Sequence, residues 1–252
     1  MQTNKRDNFG DRMKMYEGNA EVYLMPGLPI VVRLDGKGFS KYTKKMTRPY
    51  DENFSLLMQD TCKHLMKRYP KIVVGYTQSD EISLVLKHEF LNPVECNGRL
   101  QKLCSLLASE ATSFFAVEAY KRQINPNHET PTFDCRIFQV PSWIEASNAI
   151  LWREQDATKN SIQQLGQYYF SHKQLHKLNG KQIQEKLLLE KDINWNSYPT
   201  FFKRGTYVQR VLKETQEQNA ERKEIKSVYF KEPLTFYPLE ERLQLLFGDI
   251  HE

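Results

Sequence analysis

The fold is decided by residues 30–38, which read IVVRLDGKG. A short apolar run of β-branched residues that ends at two glycines is typical of a buried strand that enters a tight turn. Arg33 and Asp35 are two residues apart on this strand, so their side chains point to the same face. The stretch therefore predicts a central strand that presents a cation and a carboxylate close to its C-terminal end.

The segments on the C-terminal side of this strand alternate between helical and strand patterns. Apolar residues recur every three or four positions from Phe54 onward, and Asp51 or Asn53 can cap that helix. The pattern predicts two strands around TQSDE, a second helix and a fourth strand, at residues 72–76, 82–86, 99–120 and 133–140. The order β-α-β-β-α-β is that of a split βαβ, or ferredoxin-like, fold. We therefore expect an α+β domain of this kind.

The expected topology brings distant acids together. In this fold strand one lies between strands three and four, and strand one runs antiparallel to strand three. Asp35 should then lie beside Asp80 and Glu81, because neighbouring strands are about 4.8 Å apart. Arg136 on strand four can point to the same face. Carboxylates from two strands can thus share one cation.

The second half of the chain has a different pattern. We expect a domain boundary after residue 140, with a catalytic part at 1–140 and a helical and hairpin region at 141–252 that packs on it. The patterns predict helices at 142–170 and 181–189, strands at 206–212 and 227–230, and a polar, solvent-exposed arm at 213–226.

Composition excludes several classes of protein. The 252 residues carry 36 Lys and Arg against 31 Asp and Glu, a net charge of +5, so we expect acidic ligands to be held locally and not by a polybasic surface. The four cysteines form no C-x-x-C pair, and the N-terminal residues are polar. No apolar run approaches the ~20 residues of a membrane helix. These features predict a cytoplasmic protein without a membrane segment, disulfides or a thiolate zinc site.

Each motif also has a simpler interpretation. An Asp-Gly after a strand is most often a turn, and the Asp80-Glu81 pair can be a solvated acidic turn. Arg33 and Arg136 can form structural ion pairs. Arg99 and Lys102, in the first turns of the second helix, can be surface cations, although anions bind readily at such helix ends. Three carboxylates at one place favour the chemical interpretation, because their repulsion is costly unless a divalent cation is bound.

Four blocks together carry a family resemblance. They read VVRLDGKGF, YTQSDEISLV, FDCRIFQVPS and KRGT, and they extend from Ile30 to Thr206. In order and separation they closely resemble the tRNA-His guanylyltransferase family and its bacterial and archaeal relatives, the 3′-to-5′ RNA polymerases. The resemblance implies a polymerase-type palm, and a nucleotidyltransferase that binds tRNA, ATP, GTP and other NTPs. It also implies a homotetramer.

The resemblance further implies roles for individual residues. Asp35, Asp80 and Glu81 match the catalytic acids, and two Mg²⁺ ions would be held by Asp35, the carbonyl of Gly36 and Asp80. The residues that match nucleotide-binding positions, or that adjoin them, are Arg33, Lys37, Gly38, Phe39, Ser40, Arg48, Asp51, Ser79, Arg99, Lys102, Arg136 and Asn160. Among these, Lys37, Gly38 and Phe39 would hold the triphosphate through backbone contacts.

Two departures from the family pattern bear on the reaction. Ser40 and Thr158 occupy positions where the eukaryotic guanylyltransferases have histidine, whereas Asn160 keeps the family asparagine. This favours the branch that resembles template-dependent 5′-end repair of tRNA, through ATP-dependent 5′-adenylylation and attack by the 3′-hydroxyl of the incoming NTP. Addition of one G to tRNA-His remains the alternative. A nucleotidyl cyclase and a non-catalytic RNA-binding module are less favoured alternatives.

Overall fold

One antiparallel sheet organises the part of the chain that the structure describes. The computed structural model describes residues 8–124, 131–212 and 223–251. Within these residues the sheet has six strands in the order β4-β1-β3-β2-β5-β6. The strands are β1 Ile30–Lys37, β2 Ile72–Gln78, β3 Glu81–Leu86, β4 Thr132–Gln139, β5 Thr206–Leu212 and β6 Lys223–Val228.

Helices cover both faces of this sheet. They are α1 Asn8–Gly18, α2 Phe39–Tyr42, α3 Glu52–Arg68, α4 Leu100–Lys121, α5 Trp143–Tyr169, α6 His172–Leu175, α7 Gly180–Lys191, α8 Thr200–Arg204 and α9 Leu239–Phe247. On one face α3 and α4 bury a core that includes Leu34, Leu57 and Leu103. On the other face α5 and α9 pack around Tyr76 and Ile150. None of these helices, within the described residues, is both long and apolar enough to span a bilayer.

The predicted arrangement of the first four strands is confirmed. Between β1 and β4 the larger elements follow in the order β1, α3, β2, β3, α4 and β4, and β1 lies between β3 and β4. Asp35 pairs with Glu81 across the β1–β3 ladder, and Arg33 pairs with Arg136 across the β1–β4 ladder. The last residues of β1 therefore lie beside the start of β3, as the sequence predicts.

The second half of the chain contributes strands to the same sheet. β5 pairs with β2, and β6 pairs with β5, so the sheet continues beyond the boundary expected after residue 140. β6 begins at Lys223, earlier than the predicted strand at 227–230, and its Ile225 packs against the core beneath α3. The predicted arm at 213–226 overlaps β6 at its C-terminal end, and its residues 213–222 lie outside the described residues.

Candidate active site

A cleft lies at the end of the sheet where β1 ends and β3 begins. Its volume is about 310 Å³, and it is bounded by the sheet, the segment 43–58, α5 and α8. Asp35, Asp80 and Glu81 line it from the sheet, and Arg153 lines it from α5. The cleft is thus the place where the two sequence motifs with acids meet.

Asp80 lies at the cleft as the second residue of a two-residue turn between β2 and β3. The first turn residue, Ser79, has φ of 48°, a left-handed conformation that is unfavourable for a residue with a Cβ. Burial raises the pKa of Asp80, and the negative charges of Asp35 and Glu81 raise it further. Hydrogen bonds from its own backbone and from Ser79 act in the opposite direction. Asp80 is therefore a carboxylate whose charge is unfavourable unless positive charge is added nearby.

Asp35 is the more accessible of the two acids. Its side chain is 39% exposed, and the guanidinium of Arg136 lies 3.6 Å from one carboxylate oxygen. The same guanidinium lies 3.6 Å from Asp134, which pairs with Asp35 across β1 and β4. Among the residues that the structure describes, Asp35 therefore has one cation nearby but no short, directed ion pair.

The carboxylate of Glu81 is held in a buried ion pair with Arg153. Arg153 donates two hydrogen bonds to its carboxylate, at 2.7 and 2.8 Å, and Ser83 donates a third at 3.2 Å. Both side chains of the ion pair are about nine-tenths buried. Because both oxygens of Glu81 accept hydrogen bonds, its side chain supports the turn that carries Asp80, and its direct part in catalysis stays a prediction.

The acids supply the kind of oxygen ligands that fit a divalent cation. Within the described residues no three His, Cys, Asp or Glu side chains are grouped so that they could enclose a metal ion. Asp35, Asp80 and the carbonyl of Gly36 would supply oxygen atoms only. Mg²⁺ prefers such ligands, and it usually completes its shell with water and substrate phosphates. The mutual repulsion of Asp35 and Asp80 supports the same assignment.

Four of the predicted nucleotide-binding residues line the cleft. They are Arg48, Asp51, Ser79 and Asn160. Arg48 is exposed, and it has no hydrogen-bond or ion-pair partner among the described residues. Asp51 caps α3, since it accepts hydrogen bonds from the backbone N–H groups of Phe54 at 2.9 Å and Thr47 at 3.2 Å. Arg48 is therefore the freer group for a phosphate, whereas Asp51 has a structural task.

β1 continues through Gly36 and Lys37 and turns at Gly38 into the short helix α2, whose first side chain, Phe39, is buried. Phe39 is only 2% exposed and lies among the rings of Tyr42, Phe54, Phe115 and Phe133. A Cβ on Gly36 would lie 2.3 Å from the ring of Phe39, so a glycine is required there. Gly38 has φ of 83°, and Lys37 and Ser40 are exposed. Phe39 thus fixes the turn, and only backbone groups and the two exposed side chains remain for a ligand.

Arg99 and Lys102 lie at the opposite end of the sheet. Arg99 donates to Glu21 at 2.7 and 2.5 Å, and the N–H of Leu100 bonds to the carbonyl of Val22. At this end of the sheet Ile30 pairs with Leu86. Ile30 is five residues from Asp35 along β1, so the two residues are about 17 Å apart at the usual rise of a strand. Within one chain the geometry therefore separates both cations from the acids.

Sequence reasoning missed several groups of the cleft. Arg153 is 72 residues from Glu81 in the chain, and no pattern links the two. The missed groups also include three of the aromatic rings that line the cleft, those of Tyr50, Phe201 and Phe202, and the ring centroids of Tyr50 and Phe202 are 5.1 Å apart. The i, i+3 spacing of Arg153 and Asp156, whose side chains pair at 3.0 Å, is a local signal for an ion pair on this part of α5.

Comparisons with known proteins agree with this geometry. The family model for tRNAHis guanylyltransferase matches residues 10–141. The tRNA(His) guanylyltransferase of Saccharomyces cerevisiae is 30% identical over 204 residues, which cover 74% of this chain and 84% of the yeast protein. A bacterial tRNA(His) guanylyltransferase (Thg1)-like protein in complex with ATP superposes with a TM-score of 0.84 at 32% identity, and covers 96% of this chain and 100% of that chain. A bacterial Thg1-like protein in complex with GTP gives 0.74 at 31% identity, with the same coverage.

The mixed α/β fold, its antiparallel sheet and its acidic cleft are those of a nucleotidyltransferase. The chain belongs to the tRNAHis guanylyltransferase family, and the resemblance predicted from its sequence blocks is confirmed. The bacterial-type branch also fits, since the bacterial ATP complex gives the TM-score of 0.84 and the yeast enzyme gives 0.71.

Proposed function

We propose that this protein adds nucleotides to the 5′ end of tRNA in the 3′-to-5′ direction and thereby repairs truncated 5′ ends. The observation that carries the proposal is the meeting of Asp35 and Asp80 at one cleft, in a chain that superposes over 96% of its length on a relative solved with ATP. The family match and the relative solved with GTP support the same activity.

The finer description of the fold belongs to this proposal. We regard β1 to β4, with α3 and α4, as a ferredoxin-like palm, because their order and pairing follow the split βαβ pattern. Asp35, the Gly36 carbonyl and Asp80 are the groups that would hold two Mg²⁺ ions. When bound, these ions would neutralise phosphate oxygens and stabilise charge on the attacking and leaving oxygens.

Two successive transfers make up the reaction. In the first, an oxygen of the RNA 5′-monophosphate attacks the α-phosphorus of ATP, the bond to the β-phosphate breaks, and pyrophosphate leaves. In the second, the 3′-hydroxyl of the incoming NTP attacks the activated 5′-phosphorus, and AMP leaves with the electron pair of the broken bond. The RNA then carries the triphosphate of the added nucleotide at its new 5′ end.

The chain's own residues bind and orient these reactants. Arg48 lies at the cleft without a partner among the described residues, so it can bind the triphosphate of the nucleotide. The rings of Tyr50, Phe201 and Phe202 offer an apolar wall to a base. The buried pair of Arg153 and Glu81 fixes the first residue of β3, and Asp80 precedes that residue directly. These groups position reactants, and none of them exchanges a covalent bond.

A radiolabelled nucleotide tests the first transfer. With [α-³²P]ATP and Mg²⁺ we expect label on a 5′-monophosphorylated tRNA and none on the same tRNA with a 5′-hydroxyl, because the hydroxyl form lacks the attacking phosphate. The Asp80→Asn variant serves as the matched protein control and should give only background. RNA binding without any labelling by the wild type would favour a non-catalytic RNA-binding module and refute the proposal.

Three further expectations remain predictions. They are the division at residue 140, assembly as a homotetramer and a cytoplasmic location. The continuous sheet of β2 with β5 favours a second half that packs on the first as one unit. Sedimentation equilibrium of the full chain measures the assembly, and a mass of one or two chains at micromolar concentration would contradict the tetramer.

A further inference from the structure

Two of the four cysteines are in contact, although they belong to different elements of the fold. Cys104 lies on α4 and Cys135 lies on β4, and both are free thiols. The thiol of Cys104 donates to the carbonyl oxygen of Cys135 at 2.9 Å, and the two thiols also form a hydrogen bond with each other. The fold thus places side by side two sulfur atoms whose residues are 31 positions apart in the chain.

The packing of α4 on β4 holds the two thiols in this contact. Leu103 and Leu107, which precede and follow Cys104 on α4, are fully buried in the core of that face of the sheet. Farther along α4, the hydroxyl of Thr112 accepts from the backbone N–H of Phe133 on β4 at 3.0 Å. Two cysteines can be bridged without movement of the backbone only when their side chains already point toward each other. These two side chains meet that condition.

Both thiols of the pair are open to a reagent in solution. Cys104 and Cys135 are half-buried, and β4 is an edge strand of the sheet that the described residues form. Cys62 is fully buried, and Cys96 lies in the connection between β3 and α4. The other two cysteines therefore serve as comparisons within the same chain.

The surroundings of the pair decide which thiol reacts first. Burial raises the pKa of the Cys135 thiol, and the neighbouring Cys104 thiol and the charge of Asp134 raise it further. A thiol exchanges with a disulfide only as its thiolate. Cys135 is therefore seldom the attacking group, which leaves Cys104 as the thiol that meets an external disulfide.

We propose that Cys104 and Cys135 form a reversible modification site, at which a small disulfide such as glutathione disulfide converts the two thiols into one intrachain disulfide. The thiolate of Cys104 attacks one sulfur of glutathione disulfide, the S–S bond breaks, and one glutathione leaves as its thiolate. The thiolate of Cys135 then attacks the Cys104 sulfur of this mixed disulfide, and the second glutathione leaves. The two cysteines are oxidised, one glutathione disulfide is reduced to two glutathiones, and the protons of the two cysteines pass to them.

This inference does not depend on the proposed function. The expectation of a protein without disulfides then describes its reduced form, and the bridge belongs to conditions in which the ratio of disulfide to thiol in the surroundings rises.

Mapping of the disulfides in the oxidised full chain tests the site. Native protein is incubated with glutathione disulfide, free thiols are blocked with N-ethylmaleimide, and tryptic peptides are identified by mass without reduction. Trypsin separates the two cysteines into peptides 103–121 and 123–136, each with one cysteine. We expect these two peptides to be joined, and to separate after treatment with dithiothreitol. Protein unfolded in urea should form this bridge at least about tenfold more slowly, because only the folded chain holds the thiols in contact.

Variants that lack one cysteine separate the two steps. Cys135→Ser should accumulate the mixed disulfide at Cys104, because the second thiol is absent. Cys104→Ser should react with glutathione disulfide at least about tenfold more slowly than Cys135→Ser does. Cys62→Ala and Cys96→Ser are the matched controls, and they should form the bridge at the rate of the wild type.

Three results would overturn the site. They are a wild type that stops at the mixed disulfide, a bridge that involves Cys62 or Cys96, and equal rates for folded and unfolded protein. Thermal unfolding of each reduced variant shows that it is folded before oxidation, so a missing bridge is not the result of a lost fold.

Discussion

Asp80 and Asp35 differ in their surroundings although both line the cleft. Asp80 is half-buried, and its pKa is raised by desolvation and by the charge of Asp35, whereas Asp35 is partly exposed beside Arg136. Asp80→Asn should lower nucleotide addition by at least about 100-fold, because a ligand of the metal is lost. Single-turnover labelling with [α-³²P]ATP measures the effect. Asp134→Asn, which changes the other acid near Arg136, is the matched control and should keep activity within about twofold.

The same substitution has a predicted effect on stability. A carboxyl whose pKa is raised in the folded state contributes stability below its unfolded pKa, and this contribution is lost as the pH rises through the folded pKa. The amide of Asp80→Asn carries no charge at any pH, so the variant does not lose this contribution. Without divalent cations its Tm at pH 7 should therefore exceed that of the wild type. The difference in Tm should shrink as the pH falls toward 3.8, the ordinary pKa of an aspartate. Mg²⁺ should raise the Tm of the wild type alone. A variant that is less stable than the wild type at pH 7 would contradict this account.

The buried ion pair of Glu81 and Arg153 should contribute to the stability of the fold. Arg153→Met leaves the Glu81 carboxylate buried without its cation, which should cost about 3–5 kcal/mol in the free energy of unfolding. Adding Glu81→Gln should recover most of the loss, because no uncompensated charge then remains. Urea unfolding of the two variants and the wild type measures both values. A cost below about 1 kcal/mol for Arg153→Met would show that Glu81 is solvated, contrary to the structure.

At the scale of elements, Asp51 has a structural role as the N-cap of α3. The carboxylate accepts from the N–H of Phe54, three residues into the helix, as an N-cap does. Asp51→Ala should cost about 1 kcal/mol in the free energy of unfolding, whereas Asp51→Asn should cost little, because asparagine caps equally well. Calorimetry of ATP binding accompanies the unfolding curves. A large loss of ATP affinity in Asp51→Asn, with stability intact, would restore the nucleotide-binding role that its place in the sequence suggests.

The elements that the sequence predicts well are those with local signals. The hairpin of β2 and β3 is marked by two apolar runs with a short polar connection. The glycines after Asp35 mark the end of β1. With both elements known, the ferredoxin-like order places Asp35 beside the first residue of β3. The N-terminal residues carry no such signal, so the sequence does not predict that Glu21 forms an ion pair with Arg99. The pairing of β5 with β2 joins residues that are about 130 positions apart, and only tertiary packing decides it.

At the scale of the whole molecule, α5 divides two surfaces with different tasks. Asn160 and Arg153 line the acidic cleft, whereas Thr158 lines a groove on the other side of the helix and donates its hydroxyl to the carbonyl of Glu154. Thr158 therefore presents no polar group to a base in the cleft. Ser40 is exposed on the short helix α2 and does not line the cleft either. Neither of the two positions at which the chain departs from the eukaryotic pattern therefore contacts a base in the cleft, and we predict another source of base selection.

That source is predicted to be the RNA itself. A protein site selects one base by placing polar groups against its edge, whereas pairing with the opposite strand lets the RNA discriminate and leaves the cleft permissive. Four 5′-truncated tRNAs that differ at the single opposing nucleotide should each accept the Watson–Crick NTP at least about tenfold faster than the other three. The assay offers each NTP separately to the wild type, with Asp80→Asn for background incorporation. If G is added whatever the opposing base, pairing does not select the nucleotide, and the protein is a tRNA-His-specific guanylyltransferase in which contacts other than Thr158 and Ser40 select the base.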